Sequence, residues 1–193
     1  MTKKMLLDGI ELYEEDRKNI LNLAEKMFGG FKGKEILALG CGSATRIDND
    51  LKENYPLIDE EIAEKGGIVY GLDQNLCARS KKHLEEFKRE TGIIPVPGII
   101  EDVDRYFKEK KFDGIFSAFV MGHPTRNMDW KPPLQKLYGL MKPGTYQCHY
   151  KFETGLFNVT KQEIADMGYE VLHFFNNNEK ERAWEKILVL KRP

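Results

Sequence analysis

Three short segments place glycines and acids where a folded chain could hold a ligand carrying a sugar. They are Leu39-Gly40-Cys41-Gly42-Ser43-Ala44, Tyr70-Gly71-Leu72-Asp73 and Glu101-Asp102-Val103. Glycine lets the backbone turn sharply and lets a ligand approach without meeting a Cβ atom. A carboxylate at the end of a strand can accept two hydrogen bonds from the cis-diol of a ribose. Each acid also has a plainer reading, because Asp73 and Asp102 both precede helical patterns, where an acid caps free amides. The ligand reading gains weight from the succession of a glycine turn, an acid and an acid at three consecutive strand ends.

Among the four histidines, His123 lies in Met121-Gly122-His123-Pro124, just past an apolar strand pattern. Imidazole titrates near neutral pH, so His123 is the candidate general base. Packing in the turn before Pro124 is the competing reading. His149 and His173 fall within strand patterns and read as structural, and His83 falls on the apolar side of a helical pattern. No group of His, Cys, Asp and Glu has metal-ligand spacing. Cys41, Cys77 and Cys148 are too scattered for a zinc site or a disulfide framework, which suits a reduced, cytoplasmic protein.

The elements that must position these residues alternate. Residues 11–28 carry Ile20, Leu23, Ala24, Met27 and Phe28 at helical spacing, and Gly29-Gly30 stops that helix. Strands are expected over 35–39, 68–72, 93–100, 113–119, 145–152, 169–175 and 186–190. Pro95 and Pro97 make 93–100 a poor central strand. Between the strands lie helical patterns: two pieces on either side of Pro56, then one from Leu76 to Gly92. Further helices are expected around 103–107, from Pro132 to Met141 after a proline-rich start, and over Thr160-Lys161-Gln162-Glu163, a capping box. Lys142-Pro143-Gly144 reads as a turn. Alternation of this kind predicts an α/β fold: a doubly wound, mostly parallel seven-stranded sheet with helices on both faces. The last two strands, joined by a polar loop, should pair antiparallel. One domain spans 1–193, with 1–30 as an N-terminal helical extension.

Composition narrows the partners. The chain has 30 Lys plus Arg against 31 Asp plus Glu, a net charge of −1. A basic excess normally accompanies tight nucleic-acid binding, so the balance argues against a nucleic-acid partner. No apolar run approaches the roughly 20 residues that span a bilayer, so no membrane partner is expected.

Taken in order, these segments resemble the class I S-adenosylmethionine-dependent methyltransferase family. Ile36 to Ala44 is similar to its glycine-rich first motif, Val69 to Asp73 to its second, and Ile100 to Val103 to its third. Phe112 to His123 resembles the fourth strand and the cofactor-facing stretch that follows. Leu140 to Gly144 is similar to the turn before the fifth strand, and the closing strand pair to the family's terminal hairpin. The resemblance covers 31–193 and implies S-adenosyl-L-methionine as cofactor. The implied cofactor-binding residues are Gly40, Cys41, Gly42, Ser43, Asp73, Gln74, Asp102, Val103, Ala118 and Phe119, with Asp73 on the ribose and Asp102 and Val103 at the adenine.

Two departures stand out. The family's acid two residues before the first glycine is Ala38 here, and Ala44 replaces a glycine. The stretch from Gly42 to Asp73 is also longer than the family's. The expected function is methyl transfer to oxygen or nitrogen of a small molecule, with no metal. Trp130 and Phe157 are expected to wall the acceptor side, and nothing like Asn-Pro-Pro-Tyr follows the fourth strand to suggest amino-methylation of a nucleobase. A domain of the same fold that binds a cofactor or partner without turnover is the alternative, favoured by Ala38. A nicotinamide-dependent oxidoreductase is disfavoured by Thr45 and by the closing strand pair.

Overall fold

Short apolar runs ending in glycine or acid become strands, and the longer amphipathic segments become the helices that cover them. The computed structural model describes residues 4–7, 10–41, 58–118, 128–150, 157–174 and 187–193. The chain opens with an antiparallel hairpin, β1 (Lys4–Leu7) and β2 (Ile10–Tyr13), followed by α1 (Glu14–Phe28). The helical reading of 11–13 is thus corrected. Those residues are strand, because they pair across the hairpin with 4–6. The N-terminal extension is therefore a hairpin as well as a helix.

The remaining strands are β3 (Glu35–Leu39), β4 (Ile68–Asp73), β5 (Ile94–Pro97), β6 (Phe112–Ala118), β7 (Met141–Tyr150), β8 (Glu170–His173) and β9 (Ile187–Lys191). They form one seven-stranded sheet in the order β5-β4-β3-β6-β7-β9-β8. The first five are parallel neighbours, while β9 runs antiparallel to both β7 and β8. The proline-bearing strand β5 is at the edge, where a missing ladder donor is tolerated.

The helices are α2 (Ile58–Glu64), α3 (Lys81–Thr91), α4 (Val103–Phe107), α5 (Lys131–Leu140) and α6 (Lys161–Asp166). Of the two helical pieces expected around Pro56, the second is α2; the first lies outside the described residues. The helix expected from Leu76 is interrupted. Residues Gln74–Ala78 form a 3-10 turn, and α3 starts afresh with Ser80 accepting from the His83 amide. That cap brings the His83 ring to the surface, 3.0 Å from Ser80 Oγ, so the partly buried reading of His83 is corrected. Thr160 and Glu163 form the expected capping box on α6.

The Lys142-Pro143-Gly144 turn is absorbed into β7 as a bulge. The register passes from Phe112↔Met141 to Gly114↔Tyr146, and Gly144 takes a φ of 77° while its amide donates to the Arg192 carbonyl. Side chains alternate between two packed layers. Ile36, Ala38, Val69, Phe116, Cys148 and Tyr150 face Ile20, Leu21, Ala24 and Phe28 of α1, together with Ile62 and Phe87. Leu37, Leu39, Leu72 and Ile115 face Val103, Phe107, Leu134, Leu137 and Ile164. The apolar stripe of α1 therefore packs on the sheet, and Gly114 makes room for it: a Cβ there would lie 2.8 Å from the Phe28 ring. Burying a side chain such as Phe28 is worth about 1.5–3 kcal/mol.

Candidate functional site

Strand order reverses between β3 and β6, which lie side by side although β4 and β5 separate them in the chain. Ligands of open α/β sheets bind beyond the carboxyl ends of the strands at such a switch point. Leu39 pairs there with Leu72 on one side and Ser117 on the other.

Gly40 leaves β3 with a φ of 64°, a left-handed conformation that disfavours any side chain, and its amide donates to Leu72 at 2.8 Å. The next residue, Cys41, is buried. A Cβ at Gly71 would lie 2.8 Å from Ile93 Cγ2 and 2.9 Å from Cys41 Sγ, so only glycine lets the turn settle on β4. Gly71 was not among the expected site residues. Its signal was present in Tyr70-Gly71-Leu72-Asp73, since a glycine inside a strand marks close approach. Gly42 and Ser43 lie outside the described residues.

Asp73 ends β4, buried, and its Oδ1 accepts the Asn75 amide at 2.8 Å. Asp73 is therefore the N-cap of the turn that follows, and its position at the switch-point rim suits the ribose reading equally. Gln74 is exposed in that turn. Two further carboxylates, Asp59 and Glu60, are buried at the start of α2. Burial, then the charges of Glu60 and Asp73, push the Asp59 carboxyl up to about 7. The sequence reading missed Asp59, whose only trace was an acid run after Pro56 in a helix-compatible stretch.

Asp102 is half-buried and pairs with Arg105 at 3.3 Å, while Val103 is fully buried in the core beneath it. Ala118 closes β6 in register with Tyr150 of β7. Phe119 and His123 lie outside the described residues. Trp130 and Phe157 do not wall an open acceptor pocket. Their rings pack 6.4 Å apart at 35°, and both are buried in the core. Apolar burial puts both rings in the core, and Asn158 Oδ1 bridges the two segments by accepting the Trp130 amide at 3.3 Å.

Ala38 is fully buried among apolar neighbours on the α1 face, so this chain has no carboxylate at that position. The polar groups near the switch point on the opposite face are Ser117, Gln147 and His149, all buried and joined by hydrogen bonds. Burial depresses the His149 imidazole to about 3 and raises the Cys148 thiol to about 12. Among the described residues there is no cluster suited to a metal ion, and no helix is long and apolar enough to cross a membrane.

The sequence matches no family model and no curated protein. Solved structures do match. A TehB-like SAM-dependent methyltransferase from Corynebacterium glutamicum aligns with a TM-score of 0.56 at 17% identity, over 92% of this chain and 88% of that one. The N-methyltransferase NodS from Bradyrhizobium japonicum, solved with S-adenosyl-L-homocysteine, gives 0.58 at 12% identity, over 91% and 84%. The [4+2]-cyclase SpnF gives 0.53 at 14% identity, over 80% and 57%, so this architecture also appears under a name that is not a methyltransferase. The strand order and the antiparallel terminal pair, with these likenesses, give the chain the Rossmann-like fold of the class I S-adenosylmethionine-dependent methyltransferases.

Proposed function

We propose that this chain is a single-domain methyltransferase that uses S-adenosyl-L-methionine and acts on an oxygen or nitrogen of a small molecule. One observation carries the reading. The left-handed glycine turn after β3 is clasped to Leu72 and Gly71, and three carboxylates are buried nearby in the fold, Asp73 at the end of the neighbouring strand β4 and Asp59 and Glu60 at the start of α2. That set fits the cofactor: a turn opened by glycine suits close approach, and carboxylates suit the hydroxyl donors of a ribose.

The cofactor supplies a methyl group on a sulfonium, which is already electrophilic, so the protein's work is alignment and exclusion of water. Asp73 takes the ribose hydroxyls, Gly40 to Ser43 approach along the backbone, and Asp102 with Val103 frames the adenine side. Gln74, Ala118 and Phe119 complete the cofactor contacts. His123 removes the acceptor's proton. The net charge of −1 favours a small-molecule acceptor over nucleic acid, and three scattered cysteines suit a reduced, cytoplasmic setting.

A second reading has one specific support. Ala38 stands where the family places an acid, and the missing carboxylate favours a domain of the same fold that binds a cofactor or partner without turnover. Calorimetric titration with S-adenosylhomocysteine and with NAD, followed by a screen of small-molecule pools for methyl incorporation, separates these readings. Binding of the homocysteine compound with methyl incorporation is expected. Binding without incorporation across the pools would favour the non-catalytic domain, and heat with NAD alone would overturn both.

A further inference from the structure

A chain of buried hydrogen bonds crosses the face of the sheet opposite α1, and its direction follows from one carbonyl. The Leu134 carbonyl of α5 can only accept, so Tyr169 donates its hydroxyl proton there, at 2.7 Å. The Tyr169 oxygen then accepts from the Gln147 amide nitrogen at 2.5 Å, and that nitrogen also lies 3.1 Å from Met141 Sδ. Gln147 must therefore turn its Oε1 toward His149, where Nε2 stands at 2.8 Å and carries the ring proton. Nδ1 is left bare. It accepts from Ser117 Oγ at 2.8 Å, which fixes the Ser117 hydroxyl.

The geometry excludes a base role for His149. It is fully buried, its Nε2 faces a neutral amide oxygen, and burial holds the ring neutral far below physiological pH. A group so reluctant to take a proton is a lock. What it locks is the rim. Ser117 is the penultimate residue of β6 and lies in register with His149, one residue before the pair Ala118↔Tyr150. On its other side Ser117 lies in register with Leu39, which precedes the Gly40 turn.

We propose that Ser117 and His149 are positioning residues of the ligand site: the one-directional chain anchored on the Leu134 carbonyl holds the carboxyl ends of β6 and β7 in register beside the Gly40 turn. The proposal rests on the methyltransferase reading for its ligand. The hydrogen bonds themselves tie together β6, β7, α5 and the segment that enters β8, so a lost link at Ser117 loosens the rim where a cofactor would touch it.

The test uses the full chain with Ser117→Ala and Ser117→Thr, the second keeping the hydroxyl. Titration with S-adenosylhomocysteine should show Ser117→Ala weaker by about tenfold, the size of one well-placed hydrogen bond. Ser117→Thr should recover most of that loss. Melting of Ser117→Ala should fall by about 2–8 °C, showing that it folds. Unchanged affinity in Ser117→Ala, or equal loss in both variants, overturns the proposal. Should the wild type fail to bind the probe, the methyltransferase reading falls instead, and amide exchange judges the rim directly. Faster exchange at Ala118 and Tyr150 in Ser117→Ala supports the positioning role, and unchanged exchange there refutes it.

Discussion

Asp59 and Asp73 are both buried, one at the start of α2 and one at the end of β4, and the charge of Asp73 acts on the Asp59 carboxyl. The charge of Asp73 is one of the causes that push the Asp59 carboxyl up to about 7, after burial itself and the charge of Glu60. A carboxyl so placed is protonated more readily in the folded chain than in the unfolded one, and that has a measurable consequence.

Between about pH 4 and 7 the native Asp59 holds a proton that the unfolded chain releases, so this group lowers stability as pH rises. His149 works in the opposite sense. Its folded pKa is about 3 against 6.5, so the unfolded chain binds the extra proton in that window and stability rises with pH. The two slopes, each about 1.4 kcal/mol per pH unit, offset one another between about pH 4 and 6.5. Asp59→Asn should therefore show stability rising with pH across that window more steeply than in the wild type. Denaturant midpoints at several pH values check this, and parallel profiles for variant and wild type would count against it.

Asp73 separates into cap and ligand contact by choice of substitution. Asn can still accept the Asn75 amide, so Asp73→Asn should keep the fold while weakening S-adenosylhomocysteine binding by about 1.5–3 kcal/mol, the range for a hydrogen bond to a charged group. Unchanged affinity in a stable variant would leave Asp73 as a helix cap alone.

Gly71→Ala tests the close approach of the glycine turn. The added methyl would sit 2.8 Å from Ile93 Cγ2 and 2.9 Å from Cys41 Sγ, both buried. Stability should fall by about 1–3 kcal/mol, as for other overpacked cores, with affinity for the cofactor product falling too. A variant as stable as the wild type would show that the turn yields at little cost.

By the family pattern, Ala38→Asp restores an acid and should tighten binding. The structure reverses that expectation. Ala38 is fully buried beside Ile36, Phe116 and α1, so an unpaired carboxylate there should cost about 3–5 kcal/mol and abolish cooperative melting before it improves affinity. Tighter binding by a stable variant would contradict this.

His123→Ala should lower turnover of the acceptor by about 10²–10⁴-fold while leaving cofactor affinity nearly unchanged, with the wild-type rate rising with pH through the imidazole range. Retention of most of the turnover would remove His123 from the mechanism.

The alternation of short apolar runs with amphipathic segments was enough to place the sheet and its antiparallel end, because periodicity is a local property that each segment carries by itself. The same holds for the acids and glycines at strand ends, for Pro95 and Pro97 on an edge strand, and for the capping box at Thr160. Local signals failed where a partner outside the segment decides. Residues 11–13 look helical until the hairpin pairs them, and Trp130 with Phe157 look like pocket walls until the core packs around both rings. The burial of Asp59 within reach of the Asp73 charge, the clash that makes Gly71 obligatory, and the proton order from Leu134 to Ser117 arise only when strands and helices meet. Burial, close contact and hydrogen-bond direction are properties of pairs, and the pairs exist only in the folded chain.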